Sequence, residues 1–172
     1  MPFSGSLYLL FTPALCRLDP WHTLNEALDG GVDIVQWRHK TGDRVAFQRC
    51  REICRDRSVP LIVNDDVMLA VRSQVAGGHI GQDDLPAPAA RKLLVGQWLG
   101  ISTHDPAQIA DAAVQGADYI GFGPCYPTAT KGYTTGMTTA QVEACVREIS
   151  DRTALVGVVL NKYRAAGAAS GY

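Results

Sequence analysis

The chain has no apolar run long enough to span a bilayer as a helix, no excess of either charge, and no Gly-x-Gly-x-x-Gly turn after its first strand-like segment. Each absence removes a class of function. A spanning helix needs about 20 consecutive apolar residues. A net charge of -1 leaves no broad basic face for nucleic acid or an anionic membrane, so any anion site must be local. Without the glycine fingerprint, dinucleotide binding loses its usual support. The N-terminus also lacks a basic stretch ahead of its apolar residues 7–11, which therefore read as a strand rather than a signal peptide, and a cytoplasmic protein is expected. Five cysteines are an odd number in a chain too large to need covalent staples, which argues for reduced thiols. Cys50 and Cys54 lie four apart on an expected helix without further ligands at metal-site spacing, so packing is the preferred reading of the pair.

What is present is the composition of one globular domain over residues 1–172, with 47% hydrophobic and 19% charged residues and no linker rich in Pro, Gly or Ser. Short β-branched runs at 7–12, 33–39, 60–64, 78–81, 98–103, 117–123 and 154–160 alternate with helical stretches. That alternation is the signature of a parallel sheet. Asp105-Pro106 marks a helix start, Gly116 a helix end, and Thr138 or Thr139 a second start. Seven strand–helix units point to an α/β fold of the TIM (β/α)8-barrel type lacking its eighth unit, with a doubly wound open sheet as the competing fold.

Both parallel architectures place their active sites at the C-terminal ends of the strands, and polar residues gather there. At the second strand Gln36, Arg38 and Lys40 alternate with Val35, Trp37 and His39, so the period of two turns the first three toward one face, which in a barrel is the mouth. A solvated strand end would look the same. The third segment ends on Asn64-Asp65-Asp66 and the fourth runs into Gln82-Asp83-Asp84. Asp66 reads as a helix cap and Asp83 as a turn residue, leaving Asp65 and Asp84 as carboxylates for Mg2+, which takes oxygen ligands. Ser102 could donate to a phosphate oxygen or a reacting nitrogen, and His104 could move a proton near neutral pH. The run 117–131, where the sixth segment breaks into a loop, combines Gly121 and Gly123 with Thr128, Thr130 and Lys131, the donors and point charge of a phosphate seat. For His22, His39 and His79 the expected roles are helix-start surface, outward-facing strand and strand packing.

Five segments together carry a resemblance. They are Gln36-Trp37-Arg38-His39-Lys40, Val63-Asn64-Asp65, residues 78–86, Gly100-Ile101-Ser102-Thr103-His104, and residues 117–131 with their Pro127-Thr128-Ala129-Thr130-Lys131 ending. In this order they resemble the thiamine-phosphate synthase family, which includes a closely related tautomerase branch. The resemblance implies a (β/α) barrel that joins a hydroxymethylpyrimidine diphosphate to a hydroxyethylthiazole phosphate, giving thiamine phosphate and pyrophosphate with Mg2+. It implies that Arg38, Lys40, Asn64 and Lys131 hold the pyrophosphate, Asp65 and Asp84 the metal, Gln36 the pyrimidine ring, and Thr128 and Thr130 the thiazole phosphate. Ser102 would lie at the reacting centre, with Lys131 and Arg38 beside it in the catalytic set.

Two further expectations come from differences. The tautomerase branch uses a histidine on a thiazole carboxylate phosphate, and His104 stands where that histidine would be, so an isomerase is the alternative chemistry. In the family the seventh strand leads into a Gly-Gly loop and an eighth strand, whereas residues 154–161 here read Ala-Leu-Val-Gly-Val-Val-Leu-Asn. A shortened member that binds a phosphorylated ligand without turnover is a third reading, and an open barrel edge would favour a homo-oligomer that covers it.

Overall fold

The computed structural model describes residues 7–39, 42–126 and 136–152. Within them the chain alternates without exception: β1 (Tyr8–Phe11), α1 (Pro20–Asp29), β2 (Ile34–Trp37), α2 (Arg44–Asp56), β3 (Leu61–Asn64), α3 (Val67–Ser73), β4 (Gly77–Ile80), α4 (Ala87–Leu93), β5 (Trp98–Thr103), α5 (Pro106–Val114), β6 (Tyr119–Phe122) and α6 (Thr139–Arg152). Six of the seven expected strands form, each within the boundaries read from the sequence or a residue of them. The seventh, at 154–160, lies outside the described residues, and with it the question of an eighth unit. Among the described residues no helix is long and apolar enough to cross a membrane.

Local chemistry sets the helix starts. Asp19, Asp43, Asp66 and Asp105 each precede a helix, and each carboxylate accepts the backbone N–H three residues on, at 2.8–2.9 Å. Such a cap is worth about 1 kcal/mol. Proline follows Asp19 and Asp105 at the first helical position, where its missing N–H costs nothing. Thr138 and Gln141 form a capping box: the Gln141 N–H donates to Thr138 Oγ1 at 3.3 Å and the Thr138 N–H to Gln141 Oε1 at 2.8 Å. Asp66 and Thr138 therefore cap as the sequence suggests, and Gly116 closes α5 with a left-handed φ of +82°.

All six strands are parallel, in the order β1-β2-β3-β4-β5-β6. One set of side chains on the strands, including Val35, Trp37, Leu61, Val63, Leu99 and Ile101, packs against the helices. Helix residues spaced at three and four meet it: Leu24 and Leu28 of α1, Phe47, Cys50 and Cys54 of α2. Cys50 and Cys54 are fully buried in this layer. The sheet's other face curls inward. Among the described residues β1 and β6 are the outermost strands, yet Tyr8 Oη lies 3.0 Å from Tyr119 Oη, so the sheet bends far enough for these two strands to touch across the interior.

The N-terminal end of the sheet is tied down by Arg91 and Asp118. Asp118 Oδ2 accepts from Arg91 Nη1 at 2.8 Å and from the Leu99 N–H at 2.7 Å, while Arg91 Nη2 donates to the carbonyls of Leu94 and Gln97. Gln97 in turn donates to the carbonyls of Ala70 and Val75. These contacts hold α3, α4, β5 and β6 in place at the end opposite the polar strand termini.

Candidate functional site

The inner face of the curl is polar, which is unusual for a layer enclosed by a sheet. Gln36 on β2 is 3% exposed and His79 on β4 is 7% exposed. Buried polar groups must be bonded, and these are. Gln36 Nε2 donates to Tyr8 Oη at 3.0 Å; Tyr8 Oη lies 3.0 Å from Tyr119 Oη; Tyr119 Oη lies 3.2 Å from His79 Nδ1; and His79 Nε2 lies 2.9 Å from Ser102 Oγ. A continuous chain of side chains from β1, β2, β4, β5 and β6 thus crosses the interior. Among the described residues no buried side-chain nitrogen or oxygen lacks a partner.

Glycine makes this layer possible. Asn64, His79, Gly100 and Tyr119 stand at one level across β3, β4, β5 and β6. A Cβ at Gly100 would fall 2.2 Å from Tyr119 Cζ and 2.4 Å from His79 Nδ1. Gly121, level with Ser102, leaves room for the other side of the imidazole: a Cβ there would sit 3.3 Å from His79 Cε1. Alternation of small and large residues is how narrow barrels fit their interior. Burial raises the Tyr8 phenol to about 12, against the opposing effect of its hydrogen bonds to Tyr119 and Gln36. Burial likewise holds Tyr119 well above its ordinary range. Both therefore keep their protons at neutral pH.

The expected site residues lie around the C-terminal end of this layer. Gln36 and Ser102 are brought together through the chain just described. Arg38, half-buried, follows β2, and its N–H is anchored to the Phe11 carbonyl at 2.9 Å. Asn64 ends β3. Asp65 is exposed, with a left-handed φ of +66°, and its N–H donates to the His79 carbonyl at 2.8 Å. A non-glycine residue in that region carries strain, and Asp is among the few that tolerate it. Asp84 accepts the Gly81 N–H on Oδ2 at 2.6 Å, and Gln82 Nε2 reaches the Ser102 carbonyl at 2.5 Å, binding the loop after β4 to the end of β5. Among the described residues no three His, Cys, Asp or Glu converge as a metal cluster. Lys40, Thr128, Thr130 and Lys131 lie outside the described residues.

The histidines sort differently from expectation in one case. His22 is exposed at the start of α1, and His39 stacks on Trp37 with ring centroids 5.3 Å apart. His104 turns Nδ1 to the Gly123 carbonyl and its backbone N–H to Gln108 Oε1. His79, expected to serve strand packing, instead occupies the centre of the polar chain, because its strand is phased so that it faces inward with Gly77. Tyr8 and Tyr119 are further site residues that the sequence analysis does not single out. For Tyr119, as for His79, the available signal is a large residue with glycine two positions away on the same face, Tyr119/Gly121 and Gly77/His79; Tyr8, followed by Leu10 on that phase, carries no such mark.

Two clefts lie elsewhere. One of about 250 Å3 sits between the β4–α4 loop and α5, and Asp84 and Gln82 border it. A larger one, about 510 Å3, is at the opposite end of the sheet, around Val75, Gly96 and Trp98. The second is lined by Gln74 and Gln97, the latter's amide donating to the Ala70 and Val75 carbonyls, and parallel sheets bind ligands at the other end.

The fold and site together define an α/β half-barrel of six parallel strands with its polar site at the strand C-termini. The profile of the thiamine monophosphate synthase family matches residues 7–167, and the chain belongs to that family. It is 38% identical over 159 residues to a thiamine-phosphate synthase of Bacillus cereus (strain B4264), covering 88% of this chain and 73% of the relative. It is 39% identical over 133 residues to a thiamine-phosphate synthase of Bacillus velezensis, covering 73% of this chain and 59% of that one. In fold it is similar to a solved thiamine phosphate pyrophosphorylase from Pyrococcus furiosus, with a TM-score of 0.67 at 18% identity over 91% of this chain and 85% of the other. A second solved structure, from Bacteroides thetaiotaomicron, gives a TM-score of 0.55 at 15% identity, over 86% and 69% of the two chains.

Proposed function

We propose that this protein is a transferase of thiamine biosynthesis that condenses hydroxymethylpyrimidine diphosphate with hydroxyethylthiazole phosphate, releasing pyrophosphate. The observation that carries the reading is the family match over residues 7–167. Relatives named as thiamine-phosphate synthases support this over the isomerase and non-catalytic readings.

The chemistry asks for little covalent help from protein. The bond between the pyrimidinyl methylene and the diphosphate oxygen breaks, and the thiazole nitrogen's lone pair forms the new bond to that carbon. Charge builds on the leaving diphosphate, and a positive centre builds on the ring side. Preorganised donors at the diphosphate and correct placement of the nitrogen are therefore the main contributions. Arg38 and Asn64 fit the first task, joined by Lys40 and Lys131; Gln36 fits recognition of the pyrimidine, Ser102 the reacting centre, and Thr128 and Thr130 the thiazole phosphate.

Mg2+ fits the donors present. Asp65 and Asp84 are exposed carboxylates beside the strand ends, and Asp84 spends one oxygen on Gly81, which leaves the other. Two carboxylates suffice for Mg2+, which commonly completes its shell with water and substrate phosphate. When bound there it would neutralise charge on the diphosphate. The five free cysteines suit a reducing, cytoplasmic setting. Supplying both phosphorylated precursors with Mg2+ should release pyrophosphate and form thiamine phosphate; folded protein that releases none would refute the proposal.

A further inference from the structure

The residues proposed to hold the diphosphate begin where the β2 ladder stops. We infer that His39 is a positioning residue that acts through Arg38: by stacking on Trp37 it carries the extended backbone past the end of the strand and fixes the Arg38 side chain on the inward phase, toward the mouth. The inference rests on the transferase reading for what Arg38 then holds.

The base of the stack is held firmly. Trp37, the last residue of β2, is 3% exposed and packs on the helix side of the sheet. Two rings flank it: Phe11, level with it on β1, has its centroid 6.1 Å away, and Phe47 of α2 meets it edge-on at 5.8 Å. Phe11 in turn packs on Trp21 of α1 at 6.0 Å, and the Arg49 guanidinium of α2 lies 4.7 Å over the Trp21 ring. Residues of α1 and α2 thus brace this end of β2 together.

His39 completes the cluster, its ring centroid 5.3 Å from that of Trp37 and its plane 12° from parallel. Side chains two apart meet on one face when the residue between them is extended and turns its own Cβ to the other face. That residue is Arg38. Its N–H donates to the Phe11 carbonyl at 2.9 Å, so Phe11 holds Trp37 with its ring and Arg38 with its backbone. The registers of β2 with β1 and with β3 both end at Trp37, so past that bond the stack maintains the extended form. Arg38 is left on the phase of Gln36, which is buried in the interior. A guanidinium grips phosphate through a directional fork, so its worth depends on where the backbone aims it, and ordering it before substrate arrives spares that cost on binding. The role uses the face of the imidazole, whatever its nitrogens bond.

Two variants separate the ring face from the ring nitrogens. His39→Asn keeps a polar group near the position of Nδ1 and removes the face, and His39→Phe does the reverse. In a pyrophosphate-release assay His39→Asn should lower kcat/KM for the pyrimidine diphosphate roughly 3–10-fold, the range of one aromatic stack. The KM for the thiazole phosphate should stay within about twofold, and His39→Phe should recover most of the loss. In an Arg38→Gln background His39→Asn should add less than about twofold. An Asn variant as active as the unmodified protein, a Phe variant as poor as the Asn variant, or an undiminished further loss without Arg38 overturns the inference. NMR supplies a readout that needs no turnover, with only four histidines to assign. The indole should shift the His39 ring protons upfield, and Arg38 should show the large HN–Hα coupling of extended backbone, falling in His39→Asn and persisting in His39→Phe. Unshifted His39 ring protons, or an Arg38 coupling indifferent to both variants, also overturn it. Absence of turnover in the unmodified protein would defeat the transferase reading instead, and the NMR signatures would still decide whether the stack sets Arg38.

Discussion

Gly100→Ala is the sharpest test of the interior layer. The new Cβ would lie 2.2 Å from Tyr119 Cζ and 2.4 Å from both Tyr119 Oη and His79 Nδ1, roughly 1 Å inside ordinary contact with each. Gly100 has no left-handed φ, so the backbone accepts alanine and the whole effect is steric. The rings must separate, which costs about 1–3 kcal/mol as overpacking. The His79–Tyr119 bond is lost with them, and a stranded buried partner adds about 1–3 kcal/mol. The total, roughly 2–6 kcal/mol, is a large part of the stability of a domain. In urea, with an m of about 2 kcal/mol/M, it should lower the unfolding midpoint by about 1–3 M. Gly121→Ala is the matched control, because its Cβ would meet His79 Cε1 at 3.3 Å and need only a small adjustment, costing about 1 kcal/mol or less. Adding Tyr119→Ala to Gly100→Ala removes the phenol half of the obstruction and opens space into which the His79 ring can shift, so the double variant should lose less than the two single losses together. A Gly100→Ala protein that unfolds at the wild-type urea concentration, or that is no worse than Gly121→Ala, refutes the packing described for this layer.

Other consequences follow from the same geometry. Asp118→Ala strands the Leu99 N–H and releases Arg91, and should destabilise by about 1–3 kcal/mol in equilibrium unfolding without changing the KM of either substrate; an altered KM would contradict its placement at the far end of the sheet. Tyr8 has a folded pKa raised above its unfolded value, so its contribution is fully present below pH 10 and is lost as pH rises toward about 12. Wild-type stability should therefore fall over that window by about 2–3 kcal/mol more than that of Tyr8→Phe, and parallel curves would count against burial of the phenol. Arg38→Gln should lower kcat/KM for the pyrimidine diphosphate about 100-fold while leaving the thermal midpoint nearly unchanged, as measured by pyrophosphate release and calorimetry.

The architecture was legible because it is written locally. β-branched runs such as Leu61–Asn64 and aspartate caps such as Asp66 and Asp105 act within a few residues, so strands and helix starts could be placed one at a time. Strand ends were less exact where glycine replaces a side chain, as at β4, whose start lies one residue earlier than expected. A strand that opens on two glycines, Gly77 and Gly78, has little propensity there and is held by neighbours on both sides.

The site divides along a similar line. Gln36, Arg38, Asn64, Asp65, Asp84 and Ser102 stand at or just beyond strand ends, where a polar side chain after an apolar run is visible without knowing what it faces. Tyr8 and Tyr119 open their strands, at the end away from the polar termini, and His79 stands among glycines in β4, so each looks like ordinary packing when its own segment is read alone. Their meeting depends on a register that sets Asn64, His79, Gly100 and Tyr119 at one level, and on a curl that carries β1 across to β6. Neither quantity belongs to any single segment. The glycines are the part of that long-range information which does leave a local mark. A glycine inside a strand weakens it, so Gly77, Gly100 and Gly121 need a compensating reason: for Gly100 and Gly121 it is a ring on a neighbouring strand, and for Gly77 the close approach of the Trp98 backbone. Strand glycine is thus the sequence-level trace of the interior layer, and it points to His79 and Tyr119 once the strands are known to be parallel.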